Sequence, residues 1–113
     1  GLDMLQDGPS LRLLDENDKP RVALAVDKAG PKLCLDDPTG KCRAALEIAK
    51  DGPRLRLFDE SDRPRAGLAV TKAGPGLALS DEDGKPRAGL AVTSAGPGLV
   101  LSDPNGKTLW SRP

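Results

Sequence analysis

Apolar and polar residues alternate over short arms along most of this chain, and the alternation is reset at a fixed interval. Leu11 and Leu13 stand two apart, as do Leu33 and Leu35, Leu55 and Leu57, Leu77 and Leu79, and Leu99 and Leu101. A second set of arms alternates in the same way through Leu24 and Val26, Leu46 and Ile48, Leu68 and Val70, and Leu90 and Val92. A period of two puts such side chains on one face of a strand, so these residues are the expected structural core. Gly-Pro dipeptides beginning at Gly8, Gly30, Gly52, Gly74 and Gly96 punctuate the arms with a spacing of 22 residues. That spacing leaves no room for stacked helices of useful length, and fixed-period self-similarity of this kind marks a stacked array.

The period divides the chain into units of about 8–29, 30–51, 52–73, 74–95 and 96–113, after a lead-in at 1–7, forming a single repeat domain. Each unit reads as a first arm, a turn opened by Asp15, Asp37, Asp59, Asp81 or Asp103, then a second arm and a second turn. Gly40, Gly84 and Gly106 supply the positive φ that closes the Asp turn, while Asp18 and Asp62 stand at that place in repeats one and three. Gly8, Gly30, Gly52, Gly74 and Gly96 mark the other turn. Pro20, Pro64 and Pro86 cannot donate to a ladder and are expected at a bulge or a strand start. The expected fold class is all-β: an elongated array of five antiparallel 22-residue β-hairpin repeats, ten short strands in all.

The face opposite the Leu stripe changes along the chain. It carries Arg12, Lys32, Glu47, Arg54 and Arg56 early, but Gly76, Ala78, Gly89, Ala91, Gly98 and Val100 in the last repeats. Gly inside a strand usually marks a close backbone approach, so this second face is also expected to pack, more tightly toward the C-terminus. A single hairpin cannot stand alone, and a meander with one Leu face needs a second layer. It can roll into a solenoid or barrel, or bury the face against identical chains. With Phe58 and Trp110 as the only aromatics, Leu, Val and Ala suit a thin elongated body.

Composition removes most chemistry. The chain has 113 residues, 17 basic and 17 acidic side chains, no net charge and no histidine. That excludes His-based nucleophilic pairs and imidazole metal sites, and gives no electrostatic pull toward nucleic acid or anionic membrane. No enzyme activity, cofactor, metal site or small-molecule substrate is expected. No apolar run is long enough for a membrane span, so no direct membrane insertion by this segment is expected. No targeting segment is read, and the opening Gly1-Leu2-Asp3, without Met, is the start expected of a processed product or an excerpt.

Candidate sites have structural readings. Asp81, Asp83 and Asp103 resemble calcium ligands in type, but no convergent acidic residue follows, which favours turns. The column Arg21, Arg43, Arg65 and Arg87 suits a charged polymer in its regular rise, yet the matching Asp column makes pairing the expected role. Cys34 and Cys42 are expected on opposite faces of their hairpin and therefore as free thiols, leaving the redox compartment open. Trp110 is the expected C-terminal cap over the last apolar layer.

The stretch Gly74-Pro75-Gly76-Leu77-Ala78-Leu79-Ser80-Asp81-Glu82-Asp83-Gly84-Lys85 resembles the triple β-spiral of trimeric viral fibre shafts. The end Gly106-Lys107-Thr108-Leu109-Trp110-Ser111-Arg112-Pro113 is similar to that of C-terminal β-repeat regions in bacterial membrane-anchored coiled-coil proteins. The resemblance implies three chains wound around a shared apolar axis as an extracytoplasmic or cell-surface stalk. Two other functions stay open on the residues alone: a monomeric solenoid scaffold for protein binding, and a subunit of an extracellular filament.

Overall fold

A computed structural model describes residues 2–5, as backbone, and residues 8–112. Among these the chain forms eleven strands and no helix: β1 (Leu2–Leu5), β2 (Gly8–Leu14), β3 (Pro20–Asp27), β4 (Gly30–Asp36), β5 (Cys42–Ala49), β6 (Gly52–Phe58), β7 (Pro64–Thr71), β8 (Gly74–Ser80), β9 (Pro86–Thr93), β10 (Gly96–Ser102) and β11 (Thr108–Arg112). They lie in one sheet in chain order, each antiparallel to the next. Ten of the strands are the arms of the repeats; β1 comes from the lead-in and pairs with β2 through Leu2 opposite Leu11. The body measures 48 × 28 × 19 Å. The sheet is open, because the chain order runs from β1 to β11 without returning. It neither rolls into a coil nor folds a second layer onto itself.

Two turn types alternate along the meander. In the first, the Asp amide donates to the carbonyl four residues on, as from Asp37 to Lys41 at 2.8 Å, and Gly40 donates back to Asp37 at 3.0 Å. The residue before the turn's last member takes positive φ: Gly40 at 90°, Gly84 at 83°, Gly106 at 85°, and Asp18 and Asp62 at 62° and 66°. The two aspartates therefore occupy the left-handed place that the sequence gives them, as short polar side chains tolerate. In the second type, two residues such as Lys28-Ala29 join Asp27 to its partner Gly30. Positive φ falls on the glycine after the turn, 116° at Gly30 and 124° at Gly74.

Every first-type hairpin also carries a β-bulge. Leu35 pairs with Ala44, but Asp36 pairs with Cys42, so Arg43 is the extra residue. The same shift singles out Arg21, Arg65 and Arg87, and Leu109 in the last hairpin. Pro20, Pro64 and Pro86 begin β3, β7 and β9 directly beside these bulges, where no ladder donor is asked of them.

The cysteines require a correction. A bulge-free register puts Cys42 on the Leu face. The bulge slips its end of β5 by one residue, and a one-residue slip turns side chains to the other face. Cys42 therefore joins Cys34 and Asp36, and the two sulfurs, unbonded, lie close together.

Candidate functional site

The candidate site is the Leu face. Cross-strand pairing aligns its side chains in three rows running the length of the sheet. The central row is Leu11, Leu24, Leu33, Leu46, Leu55, Leu68, Leu77, Leu90 and Leu99, each opposite the next. On the Asp-turn side, Leu13, Leu35, Leu57, Leu79 and Leu101 alternate with Val22, Ala44, Ala66 and Ala88, and Trp110 ends the row opposite Leu101. On the Gly-Pro side, Val26, Ile48, Val70 and Val92 face Pro31, Pro53, Pro75 and Pro97.

The alternation makes these residues the expected core, and the single chain leaves them largely open. Leu46, Leu68 and Leu90 are 50 %, 49 % and 49 % exposed, and Trp110 sits at 44 %. The exposed large apolar residues include members of all three rows, so the patch is continuous over nearly the whole face. The accessible surface is 8131 Å². A compact monomer of this mass exposes about 5,900 Å², so this chain carries an excess of about 2,200 Å². An excess of that size equals what one partner contributes to a large permanent interface.

The opposite face is different in kind. Ala45 is 1 % exposed, lying opposite both Cys34 and Arg56. Glu47 binds Arg54 at 2.7 Å and Arg56 at 2.6 Å, and the Arg56 guanidinium lies 5.1 Å from the Phe58 ring centre. Burial pushes the Glu47 carboxyl up, but the two arginines outweigh it and hold its pKa below the ordinary value. Toward the C-terminus this face is mostly Gly and Ala, yet no described backbone closes on it. A Cβ built at Gly67, Gly76, Gly89 or Gly98 meets nothing nearer than 3.6 Å. The close packing expected there is not supplied within the chain.

The Asp and Arg columns form a border along one edge. Each Asp Oδ1 accepts two turn amides, as Asp81 does from Asp83 and Lys85, both at 3.0 Å. Asp103 is used likewise by Asn105 and Lys107. Asp81 and Asp103 are thus engaged as turn caps, and Asp83 contributes its amide. The second oxygen faces the bulged arginine, at 3.6 Å for Arg21–Asp15 and 3.4 to 3.5 Å for Arg43–Asp37, Arg65–Asp59 and Arg87–Asp81. The same guanidinium then stitches hairpins together. Arg21, Arg43, Arg65 and Arg87 donate through Nε to the carbonyls of Asp36, Phe58, Ser80 and Ser102 at 2.6 to 2.9 Å. Sequence reasoning finds the ion pair and expects a bulge or strand start at the prolines, but misses that the arginine is the bulged residue and makes this stitch.

Turn amides hold the Asp15, Asp59 and Asp81 carboxyls below the ordinary value of 3.8; at Asp37 the Thr39 hydroxyl does most, taking it to about 2. A pKa depressed in the folded state gives stability that is present above the unfolded value and lost as pH falls through the folded one. Urea midpoints are therefore expected to hold steady above pH 4 and to fall between pH 4 and about 2, with the Asp37 turn the last to protonate. A midpoint flat across that interval contradicts the capping role.

No protein-family model matches the chain, and a search of curated proteins finds no match.

Proposed function

We propose that this chain is a structural shaft or stalk segment that assembles with copies of itself through the Leu face and carries no chemistry of its own. The observation behind this reading is the continuous three-row apolar face that the single chain leaves uncovered. Patches of more than a few hundred square ångströms are rarely left exposed by soluble monomers. Zero net charge, with charged columns confined to the edge and the other face, leaves the Leu face itself without repulsion between copies.

Three chains fit the dimensions. Strands of seven or eight residues span about 25 Å, and three such sheets edge to edge enclose a prism whose faces lie about 7 Å from the axis. That is close to the half-spacing of about 5 Å between packed sheets, so the central Leu row fills the axis and the flanking rows fill the corners. The resemblance to trimeric fibre shafts points the same way, and with it comes the extracytoplasmic or cell-surface location. The strand ladders stack along the 48 Å axis. Both outer strands, β1 and β11, present open edges. Such edges favour a second reading, in which successive sheets add end to end as filament subunits.

Small-angle scattering tests the proposal. The expected particle has three times the chain mass of 11.8 kDa and a longest dimension near 48 Å. A particle of one chain mass overturns it.

A further inference from the structure

The two cysteines are the only ones in the chain, and both fall in the hairpin formed by β4 and β5. Each departs from its repeat column. Position 34 corresponds to Arg12, Arg56, Ala78 and Val100, and position 42 to Pro20, Pro64 and Pro86. Asp36 departs as well, from a column of Leu14, Phe58, Ser80 and Ser102. Three departures in one repeat converge in space. Cys34 and Asp36 share a face two residues apart on β4, and the bulge brings Cys42 opposite Asp36. One ligand atom from each of the three lies within 4.8 Å of the others, and all three residues are half-buried.

We propose that Cys34, Asp36 and Cys42 form a binding site for a thiophilic divalent cation, zinc by preference, that clips β4 to β5 on the face away from the Leu stripe. Zinc takes sulfur at about 2.3 Å and carboxylate oxygen at about 2.0–2.2 Å, so a tetrahedral site holds two sulfurs about 3.8 Å apart. A spread of 4.8 Å reaches that geometry with small side-chain rotations and no backbone shift. Two thiolates and one carboxylate select zinc over calcium or magnesium, and leave the fourth position to water. Without a metal, burial, then contact with Cys42, pushes the Cys34 thiol up to about 12. A coordinated cation reverses that balance, and both thiol protons pass to the buffer as it binds. Lys32, two residues before Cys34, offsets part of the negative charge of the ligand set.

The repeat supplies its own control variants. Cys34→Ala and Cys42→Pro restore residues that the same positions hold in other hairpins, as does Asp36→Ser, so the fold is expected to persist. The experiment titrates the full chain, thiols reduced, with cobalt(II) as the spectroscopic probe. The expected result is a near-ultraviolet sulfur-to-cobalt charge-transfer band saturating at one cobalt per chain and displaced by zinc. The double variant Cys34→Ala/Cys42→Pro loses the band, with circular dichroism unchanged. Asp36→Ser weakens cobalt binding by about tenfold or more, as loss of one of three protein ligands requires. Absence of the band in reduced protein overturns the site, including where oxidant then joins the sulfurs in a disulfide. An unchanged affinity in Asp36→Ser overturns the three-ligand assignment. The outcome is independent of whether the chain assembles, because the three ligands come from one hairpin.

Discussion

Leu68→Asp is expected to dissociate the proposed assembly. Leu68 sits near the middle of the central row, between Leu55 and Leu77. In the isolated sheet it is 49 % exposed, and an aspartate there costs little. In an assembly built on this face each copy adds an unpartnered carboxylate to the apolar axis, where burial costs several kcal/mol apiece. Every 1.4 kcal/mol is tenfold in an equilibrium, so association is expected to weaken by at least a hundredfold per chain. The strand signal in circular dichroism falls with it, since a one-layer sheet lacks the cover it needs. Ala69→Glu is the control: it lies on the opposite face, across from Arg54, and is expected to leave the solution mass unchanged. If Leu68→Asp keeps the wild-type mass, the Leu face is not the interface.

The second large effect is expected at the Gly-Pro corners. Gly74 has φ of 124°, and a Cβ there runs into the backbone carbonyl of Val92 on β9, the strand paired with β8. Gly8 and Gly52 stand in the same way against Val26 and Val70, and Gly30 against Ile48. Gly96 keeps the conformation, φ 113°, but no described residue lies within 4 Å of its Cβ position. Gly96→Ala is therefore expected to cost only the strained backbone, about 1–3 kcal/mol. Gly74→Ala adds a backbone clash, and a total above about 4 kcal/mol is expected, enough to unfold a marginally stable chain. Urea denaturation of the two variants separates them. Equal losses contradict the added cost of the close approach to Val92 at Gly74.

Much of the fold is legible in the sequence because the period is strict. Leu at i and i+2, Asp-led turns and Gly-Pro corners agree at every repeat, and the structure has an antiparallel hairpin for each. The Asp18 and Asp62 conformations are legible for the same reason, since they stand in a column otherwise held by glycine. The bulge is harder to see. It depends on how the turn residues and the Arg column are counted against the facing arm, and alternation within either arm is blind to one extra residue. That parity decides the face on which Cys42 lies, which is why spacing alone separates two thiols that the fold brings together. The lead-in strand β1 carries no Gly-Pro mark of its own and shows only through its pairing with β2.

What covers the Leu face is written in the sequence only as a need. A stripe of Leu, Val and Ile demands an apolar second layer, and the described strands, all in a single sheet, do not provide one. The glycine-rich end of the other face suggests close packing, but a Cβ at its glycines meets only ordinary van der Waals neighbours within the chain. Small residues there report what is absent from the surface more than what is bound to it.

The most direct test of self-assembly through the Leu face is sedimentation equilibrium of the unmodified chain at micromolar concentration. Three copies of the 11.8 kDa chain give a mass of about 35 kDa, and that is the predicted value. A single species at 11.8 kDa that retains its full strand content contradicts the account.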